Sequence, residues 1–350
     1  MVNEPKVTSV VADGFESKDV ETQAPQNAEL KYWLLGGAGI FMGIDIATYG
    51  KTRLNKQAEF VGLDTSKANG SNGLFPIERM EGTSGSGKDI SENYPGAASF
   101  IDLAMSKHKP GRFNVIVCSS SGGTGSMFSV VLARWFLKRQ IPFVVAIAED
   151  HTSETEFKNA MLILKSLLAQ TTKDQFNLPI CSIRIINAED KTRGEVNREM
   201  VTNLDYLSYF LTETNDELDF KDIQNLLAYS TTTKVPATLT ELDFHDKQSS
   251  IEYNGATPVG VCSLFDHRNN VIPRFKGSVV RSTGVMNLNN NFPDGMTELH
   301  MTLHHGDLLG KLEKELAKLD DVKIANQNAF KSDTTKVLDS GADDNGMFFG

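Results

Sequence analysis

From Glu29 onward, short apolar runs alternate with longer stretches of helical period. Tyr32 to Leu35, Glu59 to Leu63, Phe113 to Cys118, Phe143 to Ala148 and Cys181 to Ile186 read as strands. They are nearly continuous in apolar residues, as strands buried on both faces are. Helices are expected after the glycine turn Gly36 to Gly39 through Ile44 and Ala47, from Gly96 to His108, from Ser126 to Arg139 and from Glu154 to Ala169. Strands alternating with helices imply a parallel sheet covered on both faces. Arg193 to Thr212 reads as one long helix, because Val196, Met200, Leu204, Leu207 and Leu211 recur at spacings of four, four, three and four.

After Tyr229 the texture becomes strand-like, in Thr238 to Phe244, Thr257 to Leu264, Ser278 to Leu288 and Thr297 to His304. A helix carrying Leu308, Leu309, Leu312 and Leu316 follows. The expected division is an extension over residues 1–29, a parallel-sheet domain over 30–192, a central helix over 193–213, a loop and helix over 214–230, an α+β domain over 231–331 and an acidic tail over 332–350. The extension carries six acids against two bases and few large apolar residues, a composition that does not build a core.

Charge narrows the partners. The 350 residues hold 35 Lys and Arg against 45 Asp and Glu, a net charge of −10 that argues against a broad nucleic-acid or anionic-membrane surface. No apolar stretch approaches the roughly 20 residues of a membrane span, and the amino terminus mixes acids into every apolar patch, unlike a signal peptide. Cys118, Cys181 and Cys262 lie far apart and read as buried thiols of a cytoplasmic protein. His300 and His304 share one side of a strand without a third ligand, so no structural metal is assigned.

Two glycine turns follow strands, where an open parallel sheet places its ligand. Small residues there let backbone N–H groups and a helix N-terminus approach an anion. The first, Gly36-Gly37-Ala38-Gly39, admits a rival reading: Gly37, Gly39 and Gly43 with Asp64 about 20 residues on resemble a dinucleotide-binding unit, as in an NAD(P)-dependent oxidoreductase. Gly82 to Lys88 matches a phosphate-binding P-loop until Asp89 stands where a Mg²⁺-binding Ser or Thr is required, and the preceding FPIERMEG makes a poor buried strand. The second turn is Ser121-Gly122-Gly123-Thr124-Gly125-Ser126. About 90 residues later, directly after the long helix, comes Leu218-Asp219-Phe220-Lys221-Asp222. Acids three apart on a helix point the same way and suit the orientation of one water, or else Asp219 merely caps the helix Phe220 to Tyr229.

Together these segments resemble the tubulin and FtsZ superfamily. SGGTGS resembles its signature phosphate loop except that Met127 replaces the last glycine, and LDFKD resembles its catalytic synergy loop. The resemblance extends over most of the chain from Lys31, and implies a Rossmann-like α/β nucleotide-binding domain, a long central helix and a second α+β domain. It further implies a GTP site built from Gly36, Gly37, Ala38, Gly39, Asp64, Thr65, Thr83, Ser84, Gly85, Ser121, Gly122, Gly123, Thr124, Gly125, Ser126, Glu154, Asn187, Arg193 and Asn197. Asn187 and Asn197 fall where the family reads guanine. Glu154, with Lys158 one turn on, falls where it holds ribose, although Glu149 is equally placed. Three departures stand out: Ile40-Phe41-Met42 replaces the usual asparagine after the first turn, Arg193 stands where an aromatic often stacks on the base, and Glu217 replaces the synergy loop's leading asparagine.

Within the superfamily the chain looks most like the tubulin-like proteins of large bacteriophages, the PhuZ group, through VNRE at 196–199, LDFKD and the tail. That resemblance implies an assembly-activated GTPase using Mg²⁺ that polymerises head to tail, with Asp219 and Asp222 as catalytic residues completing a neighbour's site. Asp339, Asp343, Asp344, Met347, Phe348 and Phe349 would serve as polymer contacts, and phage cargo such as capsids or a phage nucleus would be positioned in the host cytoplasm. A plasmid-partition or cell-division homologue and a non-hydrolysing scaffold filament are the alternatives within the same fold.

Overall fold

Strands buried on both faces must alternate between two cores, and the first strand shows it. In the computed structural model β1 (Leu30–Leu35) is buried at all six positions. Tyr32 and Leu34 enter one apolar cluster, and Trp33 and Leu35 enter the other. The structure describes residues 28–150, 153–187, 191–211, 218–247, 258–266, 277–286, 292, 295–306, 310–314 and 317. The acidic tail, Glu217, Leu308, Leu309, Leu316 and nearly all of the extension lie outside them.

The described elements in chain order are β1, α1 (Gly36–Tyr49), α2 (Arg53–Gln57), β2 (Glu59–Asp64), β3 (Ile77–Arg79), α3 (Tyr94–Lys107), β4 (Phe113–Ser119), α4 (Gly123–Arg139), β5 (Phe143–Asp150), α5 (Glu154–Thr171), β6 (Ile180–Asn187), α6 (Arg193–Leu211), α7 (Phe220–Leu227), α8 (Tyr229–Thr232), β7 (Leu239–His245), β8 (Gly260–Phe265), β9 (Val280–Val285) and β10 (Glu298–His304). They form one ten-stranded sheet in the order β3-β2-β1-β4-β5-β6-β7-β10-β8-β9. From β3 to β7 all pairs are parallel. β10 runs antiparallel to both β7 and β8. The sheet crosses the region of the central helix unbroken, because β6 pairs with β7 from Ile180 opposite Leu239. One core packs α3, α4 and α5 on the sheet, and the other packs α1, α6 and α7. Gly310 to Lys314 are helical.

Three local features differ from the sequence reading. Helix α2 was too short for an apolar period to announce it; Thr52 caps it, accepting from the Asn55 amide at 3.2 Å. The segment Ile77 to Arg79, inside the expected glycine-serine loop, forms a half-buried edge strand on β2. Both glycine turns wind directly into helix, so that α1 starts at Gly36 and α4 at Gly123. The three cysteines are buried, and burial pushes the Cys118 and Cys181 thiols up to about 12. No described helix is long and apolar enough to cross a membrane.

Helix α6 is fastened to the first glycine-turn unit by one buried carboxylate. Asp205 accepts from the Lys51 amide at 3.0 Å, the Thr52 amide at 3.3 Å and Asn55 Nδ2 at 2.8 Å. Asn55 Oδ1 in turn accepts from the Tyr32 hydroxyl at 2.5 Å. Burial, and secondarily the Asp205 charge, holds the Tyr32 phenol well above its ordinary pKa, so it stays a donor. Replacing Asp205 by Ala strips the acceptor from three donors and should cost about 3 kcal/mol of unfolding free energy. Urea denaturation measures it, and an unchanged midpoint would show that α6 is held by packing alone.

Candidate functional site

The carboxyl ends of β1 and β4 bring the two glycine turns into backbone contact. Gly36 adopts φ +66°, a conformation that favours glycine, and a Cβ there would lie 3.0 Å from the Gly125 amide nitrogen. Opposite, a Cβ on Gly125 would come within 3.0 Å of the Leu35 carbonyl. Side chains are therefore excluded where α1 and α4 begin side by side, and both helix N-termini face one space. That space is a recess of about 200 Å³ lined by Gly36, Gly37, Ala38, Gly122, Gly123, Thr124 and Gly125, with Asp64, Gly85, Ser86 and Lys88 around them. The Thr124 hydroxyl is clipped to Thr65 Oγ1 at 2.6 Å and Ser86 Oγ at 2.9 Å. Donors concentrated at two helix starts suit a polyanion.

The recess opens into a larger cavity of about 620 Å³ through shared walls at Gly37, Ala38, Asn69, Lys88, Ser119 and Gly122. Its far end is bounded by Phe41, Ile44 and Asp45 of α1, Asn187 at the end of β6, and Arg193, Val196 and Asn197 of α6. Asn187 Nδ2 donates to Asp150 at 3.3 Å, while its Oδ1 is buried with no partner. The carboxylate fixes that orientation, since a flipped amide would set oxygen against oxygen. Asn197 Nδ2 donates to Asp45 at 2.7 Å. Phe41 is 55% exposed although large and apolar, and it stands on the cavity wall where the sequence departs from the family's asparagine. An aromatic face, a guanidinium and amide acceptors together suit a flat base with donors on its edge.

Of the sequence-expected residues, the two cavities bring together Gly36, Gly37, Ala38, Asp64, Gly85, Ser121, Gly122, Gly123, Thr124, Gly125, Asn187, Arg193 and Asn197. Six others stand off the walls. Gly39 is pressed against the Val117 carbonyl. Thr65 is spent on Thr124, and Thr83 donates to the Thr65 and Met80 carbonyls. Ser84 faces solvent, while Ser126 turns inward to the Ser120 and Gly122 carbonyls. Glu154 pairs with Lys158, and Glu156 lines the cavity in its place. Glu149 is held by Arg184 at 2.5 and 2.7 Å in a buried two-pronged pair. Asp64, the acid of the rival dinucleotide reading, is 1% exposed and accepts from the Thr65 amide, the Ser66 amide and Asn69 Nδ2. It shapes the loop after β2. Gly82 to Lys88 follows the edge strand β3 and leads into no helix at Asp89, so the strand-to-helix frame of a P-loop is missing.

Asp219 and Asp222 lie at the opposite pole. They form a reciprocal cap: Asp219 Oδ1 accepts from the Asp222 amide at 2.9 Å, and Asp222 Oδ2 accepts from the Asp219 amide at 3.2 Å. Phe220 between them packs edge-on to Phe113 with ring centroids 6.3 Å apart, and Arg112 lies 4.2 Å over its ring. Phe113 is the first residue of β4, whereas the recess begins at its last, Ser119. Seven residues of strand separate them by roughly 20 Å, so these acids cannot reach the recess of their own chain.

No protein-family model matches the chain. A curated relative, the phage tubulin-like protein of Pseudomonas phage PhiPA3, is 21% identical over 305 residues, which covers 85% of this chain and 92% of the relative. Among solved structures, the phage tubulin PhuZ with GDP superposes with a TM-score of 0.74 at 16% identity, covering 92% of this chain and all of that one. A protofilament of TubZ from bacteriophage PhiKZ gives 0.72 at 18% identity over 86% and 92%. The FtsZ dimer of M. jannaschii gives 0.57 at 14% identity over 81% and 89%. The chain has the tubulin/FtsZ fold, and in sequence and structure it is similar to phage tubulin-like proteins.

The buried pair beneath the cavity floor offers a clean energetic test. Arg184→Met leaves the Glu149 carboxylate, whose side chain is 0% exposed, without its guanidinium, at an expected cost of about 3–5 kcal/mol. Adding Glu149→Gln should recover most of it. Additive losses in the double variant would show that the two side chains act independently.

Proposed function

We propose that the chain is a tubulin-like GTPase that assembles head to tail, each subunit's Asp219 and Asp222 completing the nucleotide site of the next. One observation carries the reading: a polyanion recess and a pair of acids sit at opposite poles of one continuous sheet, roughly 20 Å apart along β4. A subunit thus holds two halves of a site that only stacking can join. Such a heterologous contact repeats without closing and gives a filament. The PhuZ filament and the TubZ protofilaments among the structural neighbours support assembly of this kind.

The recess amides and the starts of α1 and α4 receive the phosphates, and the base lies between Phe41 and Arg193. The buried Asn187 Oδ1 accepts from the N–H edge of guanine, and the Asp45–Asn197 pair closes the same edge. Adenine would set its ring nitrogen acceptor against that oxygen and leave it unpaired. At the subunit junction a water is held by the carboxylate oxygens of Asp219 and Asp222 that the helix cap does not use. The water oxygen bonds to the γ-phosphorus as the bond to the β–γ bridging oxygen breaks. The bridging oxygen keeps the electron pair on GDP, and the water's proton passes by way of a carboxylate to phosphate. Among the described residues no cluster of three His, Cys, Asp or Glu side chains could cage a metal, and Asp64 is occupied by its own loop. The hydroxyls of Ser86 and Thr124 suit Mg²⁺ carried mainly by phosphate oxygens and water, where it would neutralise phosphate charge. The tail acids Asp339, Asp343 and Asp344 with Met347, Phe348 and Phe349 strengthen the longitudinal contact, and the filaments position phage cargo in the host cytoplasm.

GTP should drive pelleting of the purified protein where ATP does not, and Asn187→Leu should narrow the difference. Equal pelleting by both nucleotides would remove the base-reading assignment. Asp219→Ala and Asp222→Ala should bind GTP normally and assemble, yet turn over at least a hundredfold more slowly, on the order of a general-base loss. Mixing either variant with a subunit whose recess is blocked by Gly36→Val should restore phosphate release. Turnover per molecule that stays constant on dilution through the assembly threshold would show that each chain works alone.

A further inference from the structure

The edge of the sheet that carries the acid pair also holds an apolar groove, remote from the recess and the larger cavity. About 240 Å³ of space lies between the turn from α4 to β5, the approach to β6 and one side of α7. Its walls are Leu137, Ile141, Pro142, Leu178, Pro179 and Leu227, edged by glutamine, asparagine and threonine side chains. Apolar walls with a polar rim suit inserted side chains, and the volume is below that of a drug-sized ligand pocket. The walls are fixed in place. The Pro142 carbonyl accepts from the Asn114 amide at 3.1 Å and from Asn114 Nδ2 at 3.2 Å. The Ile141 amide donates to the Phe136 carbonyl at 3.1 Å, and Gln140 takes φ +53° to close α4.

The chain itself arrives beside this groove. The Ala28 carbonyl accepts from the Arg112 amide at 2.8 Å, and the Glu29 carbonyl accepts from the Phe113 amide at 3.0 Å. β1 neighbours β4 and β4 neighbours β5, so Pro142 lies two strand spacings away, roughly 10 Å. The segment before Ala28 carries Val7, Val10, Val11 and Phe15, spaced as the anchors of a helix laid in a groove. From Phe15 to Ala28 the chain can span up to roughly 40 Å, several times the distance required. Charge agrees. Residues 1–27 hold five acids against two lysines, whereas the groove's described lining has one charged side chain, Lys221, and no acid. Lys221 is exposed and makes no ion pair among the described residues, and Lys138 stands exposed in the last turn of α4 next to the groove.

Resting in part on the filament reading above, we propose that residues 7–15 of each chain dock in its own groove and cover the acid-bearing edge until a second subunit displaces them. Burial of Phe15 supplies most of the contact, and the valines extend it along the wall. The tether makes docking intramolecular, at an effective concentration on the order of millimolar, so that even a weak intrinsic contact is occupied. Helix α7 lines the groove and carries Asp219 and Asp222 at its start. Extension and incoming subunit therefore compete for one surface, which holds dilute chains apart.

Disulfide trapping in the whole chain tests the docking. The three native thiols are buried, and burial keeps them protonated and out of exchange. Glu16→Cys paired with Asn225→Cys on the groove wall should form an intrachain disulfide under oxidised glutathione, seen as a shifted monomer on a non-reducing gel. Adding Phe15→Ser should slow its formation about tenfold, the loss expected when an aromatic side chain is no longer buried. Absence of the link, or a rate indifferent to Phe15→Ser, would overturn the docking. A crosslinked dimer in place of the shifted monomer would overturn docking within one chain. In GTP-driven pelleting, Phe15→Ser alone should lower the assembly threshold about threefold or more. An unchanged threshold would overturn the covering role. If no nucleotide drives assembly, the filament reading fails, and the trapping still decides the docking.

Discussion

The parallel register of β1, β2, β4, β5 and β6 is the constraint from which the rest follows. Parallel strands deliver every loop that follows them to one edge of the sheet and every loop that precedes them to the other. The edge that ends in Gly36, Ser119, Asp150 and Asn187 therefore collects helix N-termini, backbone donors and the polar edge that suits a base. The opposite edge, with Phe113, Pro142 and Pro179 near it, is where Phe220 anchors the acid pair. Separation of the two functional poles is thus a property of strand direction, not of any single side chain.

Helix α6 runs beside the sheet between those two edges. Its 19 residues span roughly 28 Å, with Arg193 and Asn197 at the cavity and its far end leading toward Asp219. A strut of this kind conveys a change at one pole to the other only if it is fastened at both. Asp205 fastens it to the turn between α1 and α2, and α1 itself starts at the recess. The hydrogen-bond chain from Asp205 through Asn55 to Tyr32 then runs into the first strand. The two ends of the cavity accordingly share one buried support.

The sequence was informative where local chemistry and tertiary role coincide. Apolar runs marked the parallel strands because burial on both faces demands them, and the four-three spacing of Val196 to Leu211 marked α6 because one stripe packs on the core. The glycine turns were legible because side chains cannot fit where α1 meets α4. Less legible were features set by contacts distant in sequence. Helix α2 depends on Asp205, some 150 positions away, and β3 exists only as an edge on β2. Phe41 and Asp45 sit four apart on the first helix, a spacing that put both on one face, but nothing local said that the face met α6 across a cavity. Glu154 and Glu156 differ by two positions on a helix, and which one faces inward depends on the helix's rotation in the packed structure.

The cap formed by Asp219 and Asp222 is compatible with the catalytic role proposed for them. A reciprocal cap uses one oxygen from each carboxylate and locks both side chains at the start of α7. The cap accounts for both acids, since Asp222 at the third helical position accepts from the Asp219 amide as Asp219 accepts from its own, and a negative charge is favoured at a helix start. Phe220, held between Phe113 and Arg112, fixes the helix start against the sheet edge. The pair is therefore pre-set in position within the single chain, as the proposed orientation of a water across a subunit boundary requires. Two like charges held side by side at an exposed helix end cost something in the isolated subunit. In the proposed filament a neighbour's cationic or hydrogen-bonding site would offset that cost on contact, so the same residues that cap α7 would also favour its burial at a junction.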